Sequence, residues 1–468
     1  MPTLLSPHTT RFSVTRQTLH PPRLRHSLPT MAISSNQNPA FPLLPDFISP
    51  PLTALTFCHF FPVPVGFCFF SGLQHLKIPL TLVKRSWLTK SPFQAKDDII
   101  SDLKLLATIL YRMPEPRRTS KENIRHKLVD IIVIALCAII CRCDSFDAME
   151  YFGHEREEYL RKFLELPNGI PDADTFRRVF ERLDAKELAL CLNEWLETEH
   201  QKRCTIAIDG KTIRGSENEK HKAFHVVSAF VAENQLTLGE VTVPEKTNEI
   251  TAIPELLDLI DVEDGIVTLD AMGCQKKIVE KICQRKADYL IALKGNQGDF
   301  HSDVELFFSE FASKYPKHTT TEKGHGRVET REYVLCNNIE WIEKADCWKG
   351  LKGIGMVKST IYHTKSKKET TETRYYITSL TTLTGFADTV RKHWRIENQL
   401  HWNLDVIFRE DACLAKKDNS PKNLNIIRKI AMRLLNAARS GRETKKLVML
   451  KASLNPDAML DVLFQRKC

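Results

Sequence analysis

The hydrophobic period of the chain changes after Lys202, and that change limits the folds open to it. Downstream, CTIAIDGKTI, AFHVVSAFVAE and LTLGEVTV are three strand-like runs bounded by turn residues. A helix over Thr251–Ile260 follows, then the strand GIVTLDAMG, a helix over Gln275–Lys286 and the strand DYLIALKG. Three successive strands, then alternating helix and strand, predict an α/β fold in which helices flank a mixed sheet. After a helix over Asp299–Phe311, strand-like runs near Val328–Leu335, Gly353–Tyr362 and Arg374–Ser379 precede a long amphipathic helix around Gly385–Phe408. Those strands read as a β-rich insertion into the core.

From Asp97 to about Lys202 the pattern is helical. LVDIIVIALCAIIC (Leu128–Cys141) is too short and too acidic to span a bilayer and reads as a buried core helix. IPDADTFRRVFERLD opens with Pro171 and a candidate N-cap, Asp174. Its apolar Phe176, Val179, Phe180 and Leu183 alternate with Arg177, Arg178 and Arg182, giving a basic face that is either solvated or turned to DNA. The first 96 residues differ, being rich in Pro, Ser, Thr and Phe, with nine Lys/Arg against the single acid Asp46. Such a composition suits an organelle transit peptide, and LTALTFCHFFPVPVGFCFF suggests a membrane segment. Pro62, Pro64 and His59 in a run barely long enough to cross a bilayer argue against a span. The expectation is a disordered or non-native extension over residues 1–96, with a start at Met113 or near Asp97 suiting the folded part, and no membrane partner.

The formal charge of +9 is unevenly spread. From Ala412 to Cys468 there are thirteen Lys/Arg against four acids, so the long middle of the chain is net acidic. The basic C-terminal segment is therefore a better argument for nucleic acid than the whole-chain charge, because backbone contacts need only local Lys/Arg patches. Thirteen scattered cysteines with no CxxC pair argue against a disulfide framework or structural zinc and for a reducing, cytoplasmic setting.

Two acids stand where an apolar strand opens into a small-residue turn: Asp209 ends TIAID before Gly210, and Asp270 ends IVTLD before Ala-Met-Gly. Each is either a turn residue or a carboxylate whose burial something compensates. Strand ends in α/β sheets are where sites gather. A pair there would form an oxygen-rich pocket for Mg²⁺ or Mn²⁺, and two such ions can activate water or a 3′-hydroxyl against a phosphodiester.

The segments LPNGIPDADTFRRVFERLD, AIDGKTIRGS, VPEKTNEITAIPELL, VTLDAMGCQ, YLIALKGNQ, GHGRVETR, KHWRIENQLHWNLDVIFREDA and NLNIIRKIAMRLLN occur in this order between about Leu128 and Leu435. Across that stretch the chain resembles the H-repeat-associated group of bacterial insertion-sequence transposases, of DDE type with an RNase H-like catalytic domain. The resemblance implies that the first strand supplies Asp209, the fourth supplies Asp270, and a helix after the inserted strands supplies Glu397, 127 residues beyond Asp270. Together they would hold two Mg²⁺ or Mn²⁺ ions. It implies cleavage of double-stranded DNA at the ends of an insertion sequence, strand transfer into target DNA, and a homo-oligomer pairing both ends. Hairpin-forming relatives carry an aromatic–Arg–Glu–Lys signature around the glutamate. Here Arg391 and His393 precede Glu397, but Leu404 stands where the Lys would fall, so that Lys has no counterpart. Asp405, Glu410 and Asp411 are competing carboxylates, with a salt bridge or hydrogen bond the preferred reading of Asp405.

Other polar positions are candidate DNA contacts. Lys246 precedes a helix and is either a capping-turn residue or an anion contact. Lys294 follows a strand and precedes Gly295, well placed for a phosphate. Arg327, Arg391, Arg395 and His401 complete the set, while Trp394 and Trp402 either stack on a base or pack in the core. The expected organisation is the extension, a helical N-terminal domain over residues 97–202, a catalytic domain over 203–411 with its insertion at about 312–384, and a basic helical segment over 412–468. A metal-dependent DNA nuclease on the same fold and a non-catalytic DNA-binding relic are the rival readings.

Overall fold

The computed structural model describes residues 105–118, 124–196, 203–219, 222–243 and 249–465. The expectations for residues 1–96 and for Lys246 lie outside them.

The described chain begins with helices: α1 (residues 105–111), α2 (Leu128–Ile140), α3 (Phe146–Glu155), α4 (Glu157–Leu160), α5 (Ala173–Arg182) and α6 (Ala185–Trp195). All of α2 is buried, including Asp130, whose carboxylate accepts the Leu166 N–H at 3.2 Å. Among the described residues no helix is long and apolar enough to cross a membrane. The N-cap of α5 is Asp172, not the expected Asp174. The Asp172 backbone is extended and its carboxylate accepts the Thr175 N–H three residues on, as an N-cap does. Asp174 lies in the first turn and pairs instead with Arg177 and Arg178.

The sheet strands are β1 (Thr205–Thr212), β2 (His225–Val231) and β3 (Leu236–Val243), then α7 (Glu249–Leu259), β4 (Ile266–Leu269), α8 (Lys276–Gln284), β5 (Asp288–Leu293) and α9 (Asp299–Phe311). Four strands follow: β6 (Lys317–Gly324), β7 (Arg327–Cys336), β8 (Gly353–His363) and β9 (Lys368–Thr378). All nine form one sheet in the order β3-β2-β1-β4-β5-β9-β8-β7-β6. β1, β2 and β3 are antiparallel, while β1, β4 and β5 run parallel. That half is the RNase H-like mixed sheet expected from the sequence. The strands read as an insertion extend the same sheet, because β9 pairs with β5 from Leu290↔Thr378 to Leu293↔Tyr375.

Alternation along β1 feeds two cores: Ile206 and Ile208 pack with α7, α8 and α9, whereas Ala207 faces the helical body. After β9 come α10 (Leu383–His393), a wider π-helical turn over Ile396–His401, and α11 (Trp402–Val406). The expected single helix is thus broken where Glu397 sits. The C-terminal helices α12 (Ser420–Ala438), α13 (Lys445–Leu454) and α14 (Pro456–Leu463) share one hydrophobic core with α1 to α6. The basic C-terminal segment is therefore built into the fold: Lys417 pairs with Glu181, and Lys429 with Glu240.

Candidate active site

β1 and β4 pair in parallel up to Ile208↔Leu269, so Asp209 and Asp270 are the next residues on adjoining strands. Apolar side chains bury the strands as far as these positions, and the acids stand where the ladder ends. β1 continues past Asp209 to Thr212 through its pairing with β2, within the strand-like run CTIAIDGKTI. Beyond Asp270 the backbone turns tightly, and the Asp270 carboxylate accepts the Met272 N–H at 2.9 Å. Asn296, in the turn after β5, donates to the Ala271 carbonyl at 2.7 Å and ties the neighbouring strand end to this loop.

The third acid comes from the far side of the sheet. α10 is docked by the His393 Nδ1–Thr268 Oγ1 hydrogen bond of 2.9 Å, two residues before Asp270. The π-helical turn that follows carries Glu397, exposed, and His401, whose Nδ1 lies 3.5 Å from Asp209 Oδ2. Desolvation raises the Asp209 carboxyl; the Gly210 N–H opposes this, and the negative charges of Asp270, Glu249 and Glu397 add to it, pushing it up to about 7. Burial, with Lys429 and Lys211 nearby, lowers His401 to about 3, so it meets Asp209 as a neutral imidazole at neutral pH. Burial likewise lowers His393 to about 4.

Oxygen donors crowded by like charge are what a hard divalent cation relieves, and in that respect the donor set fits Mg²⁺ or Mn²⁺. The fit is partial in geometry. Among the described residues no three His, Cys, Asp or Glu side chains are already gathered as a metal-holding cluster, and Asp270 is engaged by its own turn.

Around this centre lie Lys211 and His225, which the sequence pattern did not single out, each paired with an acid. Lys211, two residues beyond Asp209, contacts Asp405 at 2.9 Å and the wholly buried Glu410 at 2.8 Å. The ion pair of Asp405 is the role preferred for it from sequence. Burial would raise the Glu410 carboxyl, but Lys211 and Arg428 outweigh it and hold it below its ordinary value. His225 Nε2 meets Glu249 Oε1 at 2.5 Å beneath Gly210. The AIDGKTIRGS and VPEKTNEITAIPELL segments carried Lys211 and Glu249, but only the fold shows which side chains meet them.

The candidate DNA contacts separate. Arg327 and Arg391 line a groove of about 250 Å³ together with Glu397, Arg331 and Arg374. Arg391 also pairs with Glu322 at 2.6 Å, and the Arg374 guanidinium lies 4.4 Å from the centre of the Trp394 ring. Arg395 turns away from the groove and donates to the Ala232 carbonyl at 3.2 Å. Lys294 is exposed at the end of β5, and Trp402 is exposed beyond the π-helical turn.

Comparison with known proteins follows the same division. The family model described as "Transposase DDE domain" matches residues 200–434, and "DDE_Tnp_1-associated" matches residues 107–196. "Putative transposase YncI" of Escherichia coli O157:H7 is 40% identical over 361 residues, covering 75% of this chain and 92% of that protein. "H repeat-associated putative transposase YhhI" of Escherichia coli K12 is 37% identical, over 77% of this chain and 98% of that protein. "Inactive transposase YbfQ" of the same strain is 33% identical over 78 residues, 17% of this chain and 90% of that protein.

Proposed function

This chain belongs to the transposase DDE domain family, and we propose that it cuts double-stranded DNA at the ends of an insertion sequence and joins the freed 3′-ends to target DNA. The observation that carries this reading is the side-by-side placement of Asp209 and Asp270 at the ends of parallel β1 and β4, with Glu397 near enough for its charge to act on Asp209.

Asp209, Asp270 and Glu397 would hold two Mg²⁺ or Mn²⁺ ions. Divalent ions held there would activate a water or the DNA's own 3′-hydroxyl and offset charge on the phosphodiester. The chain's own groups do the rest. The β1–β4 ladder fixes the spacing of the two aspartates, and the His393–Thr268 bond holds the end of α10, from which the turn bearing Glu397 starts. Neutral His401 lies against Asp209 without removing its charge. Lys211 binds Glu410 and Asp405, keeping these acids off the centre. Arg327, Arg331, Arg374 and Arg391 give the groove beside Glu397 the donors that grip phosphates. DNA contacts by Lys246, Lys294 and His401, and pairing of ends by a homo-oligomer, belong to the same proposal. Arg395 contributes by bracing the π-helical turn against Ala232, the residue after β2.

Strand transfer with pre-cut ends tests the reading. Joined products that need Mg²⁺ and vanish in Asp209→Ala support it. Hydrolysis without joining would make the protein a nuclease, and DNA binding untouched by metal or by Asp209→Ala would make it a non-catalytic relic.

A further inference from the structure

A separate cavity of about 400 Å³ opens between the helical body and the chain that follows Glu410. None of Asp209, Asp270 and Glu397 lines it. Ser420, Leu424 and Arg428 do, and their spacing of four residues puts all three on one face of α12, turned to the cavity. Ser420 and Arg428 are each only 1% exposed. Yet Ser420 Oγ and Arg428 Nε have no hydrogen-bond partner among the described residues. Buried polar atoms are normally paired, and a hydroxyl and a guanidinium N–H left free can both donate to an anion.

Three further observations agree. Ser420 begins a nineteen-residue helix, so the positive end of the helix dipole lies here, with the Ser420 N–H held by the Lys417 carbonyl at 3.0 Å. Five Lys/Arg line the cavity against three carboxylates, one of which, Glu181, is already held by Lys417 at 2.8 Å. Arg409 and Lys416 are exposed on its wall.

We propose that this cavity is an anion site taking one backbone phosphate of a DNA strand, with the attached sugar or base against Phe146 and Leu414; this rests on the reading of the protein as one that acts on DNA. The phosphate meets Ser420 Oγ and Arg428 Nε, with Arg409 and Lys416 drawing the strand in. The site is tied to the catalytic strand. Arg428 Nη1 lies 3.7 Å from Glu410 Oε1, and Glu410 binds Lys211, two residues from Asp209. The basic face of α5 finds a use here too, since Arg177 lines the same cavity.

Binding of a short fluorescein-labelled duplex of mixed sequence, read by anisotropy across a salt series without divalent metal, tests this on the full chain. The double variant Arg409→Gln/Lys416→Gln should bind about tenfold more weakly, with the slope of log affinity against log salt reduced by about 1 to 2. Ser420→Ala, which removes the unpartnered hydroxyl at little change in volume, should weaken binding about threefold. Lys286→Gln, an exposed lysine paired with Glu263 elsewhere, should change neither. Variants that melt like the parent protein and keep its affinity and slope would overturn the proposal. If the double variant fails to fold, Ser420→Ala decides alone. Inorganic phosphate is the second arm: phosphate that stabilises the parent but not Ser420→Ala, with duplex binding unchanged, would make this a free-phosphate site and overturn the strand assignment. A parent protein that binds no duplex would instead remove the DNA reading itself.

Discussion

At the scale of single residues, Asp209 carries a charge that its surroundings resist: lost hydration first, then three neighbouring acids. A bound divalent ion should therefore stabilise the folded protein. With Mg²⁺ at about 100 times its dissociation constant, the gain is about 2.7 kcal/mol. Thermal unfolding should show it in the parent protein and not in Asp209→Asn, and an equal rise in both would place the ion elsewhere. Gly210, the next residue, is a second sensitive point. A Cβ there would run into His225 Nε2 and Glu249 Oε1, so Gly210→Ala should cost about 1–3 kcal/mol in denaturant unfolding. Lys211→Met should cost more, about 3 kcal/mol, because Glu410 is wholly buried and would lose its closest cation.

At the scale of elements, the strands were the most legible part of the sequence. TIAID and IVTLD are apolar up to their acids, and the ladder between β1 and β4 stops one residue before both. The break in the helix around Glu397 was not legible, because WRIENQLHW keeps a helical pattern whether its turns are α or π. Nor could composition reveal that β9 pairs with β5, since strand pairing is a long-range contact. For the same reason Arg391 and Arg395, four residues apart, looked equivalent, yet one lines the groove and the other binds a carbonyl of the chain. Docking of α10 on the sheet depends on Gly355 of β8, where a Cβ would strike the Phe386 ring. Gly355→Val should displace α10, lowering stability by about 1–3 kcal/mol and DNA cleavage with it. Unchanged melting and cleavage would show that the turn bearing Glu397 does not need this contact.

At the scale of the whole molecule, the C-terminal helices close the core begun by the N-terminal ones, and their charges act on stability. Lys445 shows the sign. Burial, then the charge of Arg439, lowers its ammonium from 10.5 to about 8. Below pH 8 the folded state holds the full buried charge; between about 8 and 10.5 it sheds the proton before the unfolded chain does, so this penalty fades as pH rises. Lys445→Met should therefore melt higher than the parent by a margin that shrinks from about pH 8 to pH 10, and a constant margin would contradict that account.

The fold, the paired aspartates and the arginine groove all bear on the proposed reaction, so the most direct measurement is a cleavage-and-joining assay on DNA carrying the ends of the proposed insertion sequence. In Mg²⁺ the parent protein should release the ends and join them to target DNA. Asp209→Asn, Asp270→Asn and Glu397→Gln should each lower that rate by at least about a hundredfold while melting as folded proteins. Folded variants that cleave and join at the parent rate would contradict the assignment of these three acids.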